Sequence, residues 1–519
     1  MPRLSAVEHL VDPERAPIRP YDRQQVDTPF IVHVQHDVDV HFVHASSFAV
    51  FRHKIHRYGI IERAFDNTIA NKRWRNGKDW RVTDLRKTSG CVICIDLKSF
   101  YASVECADRG LDPFTTNLVV ADPDRSANTI CLAITPAMKA AGVRNRCRVR
   151  DIPPGIEYLT AIPRMKRYMQ VSGEIVGSYL ELVSPQDLQV YSIDECFIDA
   201  APYLRLYRTD ARTFAKRLMR RAFEVSDVTA TAGIGPNMFQ AKVALDICAK
   251  HASDGIGQLD DESFKREIWF HRPITDIWGI GPGIARRLAK HGAYDLAGVC
   301  AVNPKVLRRE FGKNAEYLID HAWGLEACTV EQARSYRPRA HSLTNGQVLM
   351  RDYSCREVET LLREMVLGSA LELVEKGLCA QVVSVYVGYS ASNFPHQSWE
   401  KCGPLGAAAA GAGGSAKLPK PTNAADALTD AVLEIYRARV TPGLSIRRVN
   451  IALADLMPVD KVQPTLFDDA ANERKQAALS RAMVDVRKRF GANALLKATS
   501  LKEEASAMER NNQVGGHRA

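Results

Sequence analysis

Asp96-Leu97-Lys98-Ser99-Phe100-Tyr101 follows directly on the apolar run Cys91-Val92-Ile93-Cys94-Ile95, and the chain returns to the same theme at Tyr191-Ser192-Ile193-Asp194-Glu195. A β-type run that ends on an acid, answered by a second run carrying two adjacent acids, brings three carboxylates together at strand ends. Carboxylates placed so close repel one another unless cations sit between them. The pattern points to Mg²⁺ and phosphate chemistry.

Length and composition set the frame around that stretch. At 519 residues the chain exceeds one hydrophobic core and should divide into several domains. Its 70 Lys and Arg against 60 Asp and Glu give a net charge of +10, with a pI near 9.0, which admits a nucleic acid partner without requiring one. Twelve scattered cysteines and a polar opening, MPRLSAVEHLVDPERAPIRP, read as a reduced, cytosolic protein without a signal peptide. No apolar stretch approaches the roughly 18 to 20 residues that span a bilayer, so no membrane partner is expected. Cys91 and Cys94 form a CxxC, but positions three apart on a strand face opposite sides, and no second pair completes a zinc site.

Upstream of Gly90 the sequence is least structured in pattern. Three HxxH pairs (His33/His36, His41/His44, His53/His56) crowd one segment, and Lys72 to Lys87 is strongly basic. Both read as solvated parts of a weakly ordered extension. Downstream, β-type runs at Leu118 to Ala121 and Thr129 to Ile134 lead to a helical Pro136 to Val143. A long amphipathic helix is expected over 163 to 183, with Met165, Tyr168, Met169, Val171, Ile175, Tyr179 and Leu182 on its apolar face. The second acidic strand spans 188 to 199. Helix, strand and helix follow at Ala211 to Val225, Thr229 to Gly235 and Met238 to Ala249, a mixed order that fits an α+β sheet better than a Rossmann sheet.

At 276 to 290, DIWGIGPGIARRLAK sets Gly279, Gly281 and Gly283 between two expected helices. Such glycines let a backbone approach phosphate, and the next helix N-terminus offers unpaired N–H groups. Arg334 to Arg339 reads as a linker. Then come a helix at Cys355 to Lys376 and strands at Val382 to Tyr389 and Ile446 to Leu453, interrupted by GAAAAGAGGSA (406 to 416), read as a low-complexity mobile loop. The chain closes with Gln463-Pro464-Thr465-Leu466-Phe467, a basic amphipathic stretch at 483 to 491, and a polar end.

DLKSFYASVE (96 to 105), YSIDECF (191 to 197), TAGIGPNMFQAK (231 to 242) and WGIGPGIA (278 to 285) together resemble the Y-family, or translesion, DNA polymerases, and within them the UmuC-like branch. The likeness runs from about Cys91 to Leu501. It implies a multidomain α+β right hand: an N-terminal extension at 1–90, a palm at 91–103 and 163–249, fingers at 104–162, and a helix-hairpin-helix thumb at 250–330. A linker at 331–339, a little finger at 340–457 and a tail at 458–519 complete it.

The resemblance also implies roles. Asp96, Asp194, Glu195 and the carbonyl of Leu97 would hold two Mg²⁺ ions, with the three acids catalytic. Tyr101 would be the steric gate against ribonucleotides and Phe100 its neighbour at the nucleotide. Lys139 and Lys242 would grip the triphosphate of the incoming deoxynucleoside triphosphate. Where many relatives carry a tyrosine for that contact this chain has Pro136, leaving Thr135 as the candidate substitute. Gly279, Gly281, Gly283 and Arg286 would meet the backbone of primer-template DNA. Ala133, Ala137, Ala140 and Ala141 suit an open, permissive site, and the resemblance implies low-fidelity lesion bypass in DNA repair and the SOS response. Gln463, Leu466 and Phe467 resemble a sliding-clamp peptide, and an accessory SOS subunit is a further candidate partner. A catalytically silent DNA-binding scaffold and a two-metal nuclease are the competing readings, and the complete acid set with its gate weighs against the scaffold.

Overall fold

The computed structural model describes residues 90–125, 127–336, 342–393, 411–464 and 470–519. The histidine pairs and the basic stretch before Gly90, with the end of the linker (337–339) and most of the clamp-like peptide, lie outside the described residues.

In chain order the first half contains β1 (Val92–Leu97), α1 (Phe100–Ala107), β2 (Leu118–Val120), β3 (Ala133–Ile134), α2 (Pro136–Ala140), β4 (Leu159–Ala161), α3 (Met165–Leu180), β5 (Leu188–Val190), β6 (Glu195–Asp199), α4 (Ala211–Ser226), β7 (Ala230–Gly235), α5 (Met238–Val243) and β8 (Ile256–Gln258). Five of the strands form one sheet in the order β5-β6-β1-β7-β8. Strand β1 is central and antiparallel to both neighbours, which pairs Asp96 with Glu195 and Cys94 with Gly233. Because side chains alternate along a strand, Val92, Cys94 and Asp96 share one face, whose apolar part packs with Phe197, Met238 and Ala241. That face carries α5, which lies on β7 where Gly233 and Gly235 have no side chain: a Cβ on Gly233 would stand 2.1 Å from the Ala241 carbonyl.

Two expectations here need correction. The acidic strand at 188–199 is a hairpin. Its turn folds because Tyr191 and Ser192 both donate backbone N–H groups to the Glu195 carbonyl (2.9 and 3.0 Å), and the Ser192 hydroxyl bonds Asp194 (2.6 Å), local bonds that displace ladder pairing. The helix expected to Ala249 ends at Val243 and widens into a π turn at Ala244–Cys248. Strand β8 joins the same sheet beyond residue 249, parallel to β7.

Strands β2, β3 and β4 make a separate small sheet over a core of Val119, Cys131, Ile134, Met138 and Ile152. The glycine hairpin is preceded by a single 3-10 turn, Ile274–Asp276, rather than by a full helix. Gly279 takes φ +87°, a conformation that side chains resist, and α6 (Pro282–Ala289) starts from Gly281 with proline at its first turn. The supposed linker is partly helical: Thr329 and Gln332 form a capping box that starts a helix at Val330–Ser335.

The second half contains β9 (Ser342–Tyr353), α7 (Cys355–Glu375), β10 (Leu378–Tyr389), β11 (Gly411–Thr422), α8 (Ala425–Arg439), β12 (Ile446–Ala454), α9 (Ala470–Phe490), β13 (Gln513–Val514) and β14 (His517–Arg518). The sheet order is β11-β10-β12-β9, with α7 and α8 burying Leu361, Met365, Leu428 and Val432 against it. The glycine-rich segment read as a mobile loop is, from Gly411 on, the edge strand β11. Its small residues are needed: a Cβ on Gly413 would meet the Val385 carbonyl at 2.4 Å.

The polar end is ordered as well. Helix α9 packs on α7, and Glu364 accepts from the Ser506 and Ala507 amides (2.9 and 3.1 Å). The terminal hairpin turns at Gly515-Gly516, both at positive φ, and Arg518 pairs there with Asp122 and Asp124. Among the described residues no helix is long and apolar enough to cross a membrane.

Candidate active site

Strand β1 delivers Asp96 to one end of the five-stranded sheet, opposite Glu195 at the first position of β6. Asp194 sits in the turn just before, with its carbonyl accepting the Leu97 amide at 2.9 Å. The three acids foreseen from sequence therefore do meet at one end of one sheet. Burial pushes the Asp96 carboxyl up to about 8, and the charges of Asp194 and Glu195 add to the push while Lys242 opposes it. Burial also raises Glu195, against the pull of Lys242.

Lys242 carries the local counter-charge. Its ammonium lies 3.0 Å from Glu195 Oε1 and 2.9 Å from Asp246 Oδ1, with only a tenth of its side chain exposed. Burial alone would lower that ammonium, but the fields of Glu195, Asp246 and Cys94 outweigh burial and hold it above its usual value. The Cys94 thiol donates to Glu195 Oε1 at 3.1 Å. Glu195 is thus turned toward protein donors, and among the described residues no three His, Cys, Asp or Glu side chains close around one point. The donor chemistry still fits a hard divalent cation: three carboxylates at one sheet end, with Asp96 pushed up by burial and by the charges of Asp194 and Glu195.

Between β1 and α1 the chain turns sharply, with Ser99 at φ 50°, a left-handed setting unusual for a residue with a side chain. This turn sends Tyr101 back toward the acids. Burial, reinforced by the charge of Asp194, pushes its hydroxyl up to about 12, with Arg146 acting the other way. The Tyr101 ring stacks on Tyr168 at 4.4 Å between centroids. Phe100 is buried, its ring 5.7 Å from that of Tyr101.

Lys139, on α2, lies in the field of Asp96. Desolvation lowers its ammonium, Asp96 resists that shift, and Lys250 and Lys98 add to it. Thr135 departs from expectation. It is fully buried, and its hydroxyl accepts the amides of Leu118 and Met138 (3.1 and 3.4 Å) as the N-cap of α2. That side chain serves the helix start and does not stand in the site. Ala140 and Ala141 are exposed, while Ala133 is buried. In the hairpin segment Arg286 is exposed, while Arg287 is paired with Glu310 (2.8 Å) and lies over Phe311. Gln463 is exposed just past the turn at Val459–Lys461.

Four roles went unseen in the sequence, those of Cys94, Asp246, Tyr168 as a polar participant, and Glu105. Asp246 and Glu105 left local signals, standing four residues from Lys242 and from Arg109 on one helix face. The other two act across chain separations that periodicity does not report.

Residues 95–246 match the impB/mucB/samB family, and residues 340–466 match that family's C-terminal domain. DNA polymerase IV 2 of Bacillus subtilis is 30% identical over 435 residues, covering 82% of this chain and 98% of its own. UvrX of the same organism, named for UV-damage repair, is 28% identical over 437 residues, covering 82% and 97%. DNA polymerase IV of Moorella thermoacetica is 27% identical over 428 residues, covering 80% and 97%. A solved Y-family DNA polymerase chimera shares the fold with a TM-score of 0.51 at 18% identity, covering 71% of this chain and 99% of that one.

Proposed function

This chain belongs to the impB/mucB/samB family, that of the Y-family translesion DNA polymerases, and from that premise we propose how its residues extend a primer on a template. The single observation that carries the reading is the register of β1 on β6, which sets Asp96 against Glu195 with Asp194 in the adjoining turn. The enzyme is a DNA-directed DNA polymerase of low fidelity, and its substrates are primer-template DNA and deoxynucleoside triphosphates.

Asp96, Asp194, Glu195 and the Leu97 carbonyl would hold the metal, which we assign as two Mg²⁺ ions on the strength of an all-oxygen donor set. When bound, such ions acidify the primer 3′-hydroxyl and neutralise charge on the α-phosphate and the departing pyrophosphate. The protein's own part is positioning and electrostatics. Glu195 must exchange Lys242 for metal, which frees the ammonium to meet the triphosphate beside Lys139 as point charges. Tyr101 packs beneath the sugar and leaves no room for a 2′-hydroxyl. Gly279, Gly281, Gly283 and Arg286 follow the duplex backbone through contacts that are indifferent to sequence and sensitive to salt. The exposed Gln463, with Leu466 and Phe467 after it, would tether the enzyme to a sliding clamp and raise its local concentration on DNA. An accessory subunit, a role in the SOS response and a cytoplasmic location complete the reading.

Primer extension by the purified chain, beside Asp194→Ala, tests it. Extension by the parent and its loss in the variant are expected. Equal incorporation by both would sink the mechanism, template binding without synthesis would favour a silent scaffold, and strand cleavage in place of extension would favour a nuclease.

A further inference from the structure

Eleven free cysteines lie among the described residues, and no step of the reaction above uses one. In one pair the sulfurs face each other, Cys131 Sγ and Cys147 Sγ standing 4.0 Å apart. Both flank the small sheet. The isolated antiparallel bridge of Ile130 with Arg148 sets Cys131 opposite Cys147, and the Cys131 amide donates to the Cys147 carbonyl at 2.8 Å. Residues paired in this way have Cα atoms about 5.5 Å apart, inside the span that a disulfide bridges. Rotation of the two side chains closes the remaining gap without moving the backbone.

The two thiols differ in access. Cys131 is wholly buried among Val119, Ile134 and Met138, whereas Cys147 is partly exposed at the margin of that core. Burial, with Cys147 adding to it, pushes the Cys131 thiol up to about 12, so Cys131 stays protonated and inert until its neighbour has reacted. Cys147 is the thiol that an oxidant in solvent meets first.

We propose that Cys131 and Cys147 are a redox modification site, a dithiol that a hydroperoxide closes to a reversible disulfide. With hydrogen peroxide, the Cys147 sulfur takes one oxygen as the O–O bond breaks, and the other oxygen leaves with the thiol proton as water. The Cys131 sulfur then attacks the Cys147 sulfenic acid, the S–O bond breaks, and a second water carries off the Cys131 proton. Two thiols lose two electrons and one peroxide becomes two waters. A dithiol reductant reverses the bond by exchange.

The bond closes a loop around β3 and α2, the segment that brings Lys139 into the field of Asp96 and Arg146 into that of Tyr101. Such a cross-link removes conformations from the unfolded chain, so the oxidised protein should melt higher than the reduced one.

The purified full chain, reduced and then freed of reductant, is treated with hydrogen peroxide without denaturant; remaining thiols are alkylated and peptides are mapped by mass without reduction. A Cys131–Cys147 peptide pair, lighter by two hydrogens than the separate thiol peptides, is expected. It should be roughly tenfold more abundant than any other cysteine pair, because neighbours held together react as one molecule, and dithiothreitol should abolish it. In Cys131→Ser the Cys147 sulfenic acid should persist and be trapped by dimedone. Oxidation should raise the melting temperature of the parent and not that of Cys147→Ser. Recovery of both cysteines as alkylated thiols in the parent, a result that needs no variant to fold, would overturn the inference. Preferential pairing of either with a third cysteine would overturn it too, as would an equal rise in melting temperature in the parent and Cys147→Ser.

Discussion

Lys242 spans 47 positions of sequence to bracket the Glu195 carboxylate, its Nζ 3.0 Å from Oε1 and 3.1 Å from Oε2. The protein thereby supplies a cation to an acid that we assign to metal, and on that assignment the two ligations compete for one side chain.

Lys242→Met should leave the buried Glu195, and the half-buried Asp246 beside it, without a counter-charge and cost about 3 kcal/mol, the order seen when one partner of a buried pair is removed. Added Mg²⁺ should raise the melting temperature of this variant more than that of the parent, because the acids then lack their resident cation. Melting scans with and without Mg²⁺ check both points. An equal metal-induced shift in the two proteins would argue against competition at Glu195.

Gly233→Ala should damage the site from behind. The new methyl would meet the Ala241 carbonyl at 2.1 Å and the Leu245 amide at 2.3 Å, and backbone cannot step aside as a side chain can. Overpacking of this kind costs about 1–3 kcal/mol, and shifting α5 moves Lys242 with it. Thermal melting should fall and primer extension should fall further. Full activity would show that the sheet absorbs the methyl without moving α5.

Glu357 anchors the start of α7. Its carboxylate bonds Arg351 (2.6 Å) and the Ser354 amide (2.7 Å) in a capping box, and these bonds hold its pKa down to about 2. A depressed carboxylate contributes stability that is complete above its unfolded pKa and disappears as pH falls toward its folded value. Glu357→Ala should therefore cost about 1–2 kcal/mol at neutral pH. Urea unfolding should show the gap between parent and variant narrowing as pH drops from about 4.5 toward 2. A gap independent of pH would assign the effect to packing alone.

Replacing Leu466 and Phe467 together by Ala should abolish stimulation of synthesis by a sliding clamp and leave basal extension unchanged, since neither residue belongs to the palm. Extension assays with and without clamp decide this. Stimulation that survives the double substitution would discard the tether.

The grouping of Asp96, Asp194 and Glu195 at strand ends, most of the strands and helices around them, and the glycine turn at 279 to 283 were legible in the chain itself. Each announces itself by local pattern: an acid ending an apolar run, a repeat of two or of 3.6, a glycine where φ must be positive. The same locality misled at Gly411, where absence of side chains suggested a loop and the pairing with β10 left no signal. It also hid the Gly515-Gly516 hairpin, whose turn signal was present but lay in a polar tail.

What the tertiary structure alone decided is the set of partners. Thr135 was drawn into a helix cap, Glu195 was assigned to Lys242 and Cys94, and Tyr168 was placed behind Tyr101 with Glu105 as its anchor. The physical reason is range. Spacing along the chain fixes which face of an element a residue occupies, whereas the identity of what it meets there depends on how distant elements pack, and buried charges choose partners only once that packing is complete.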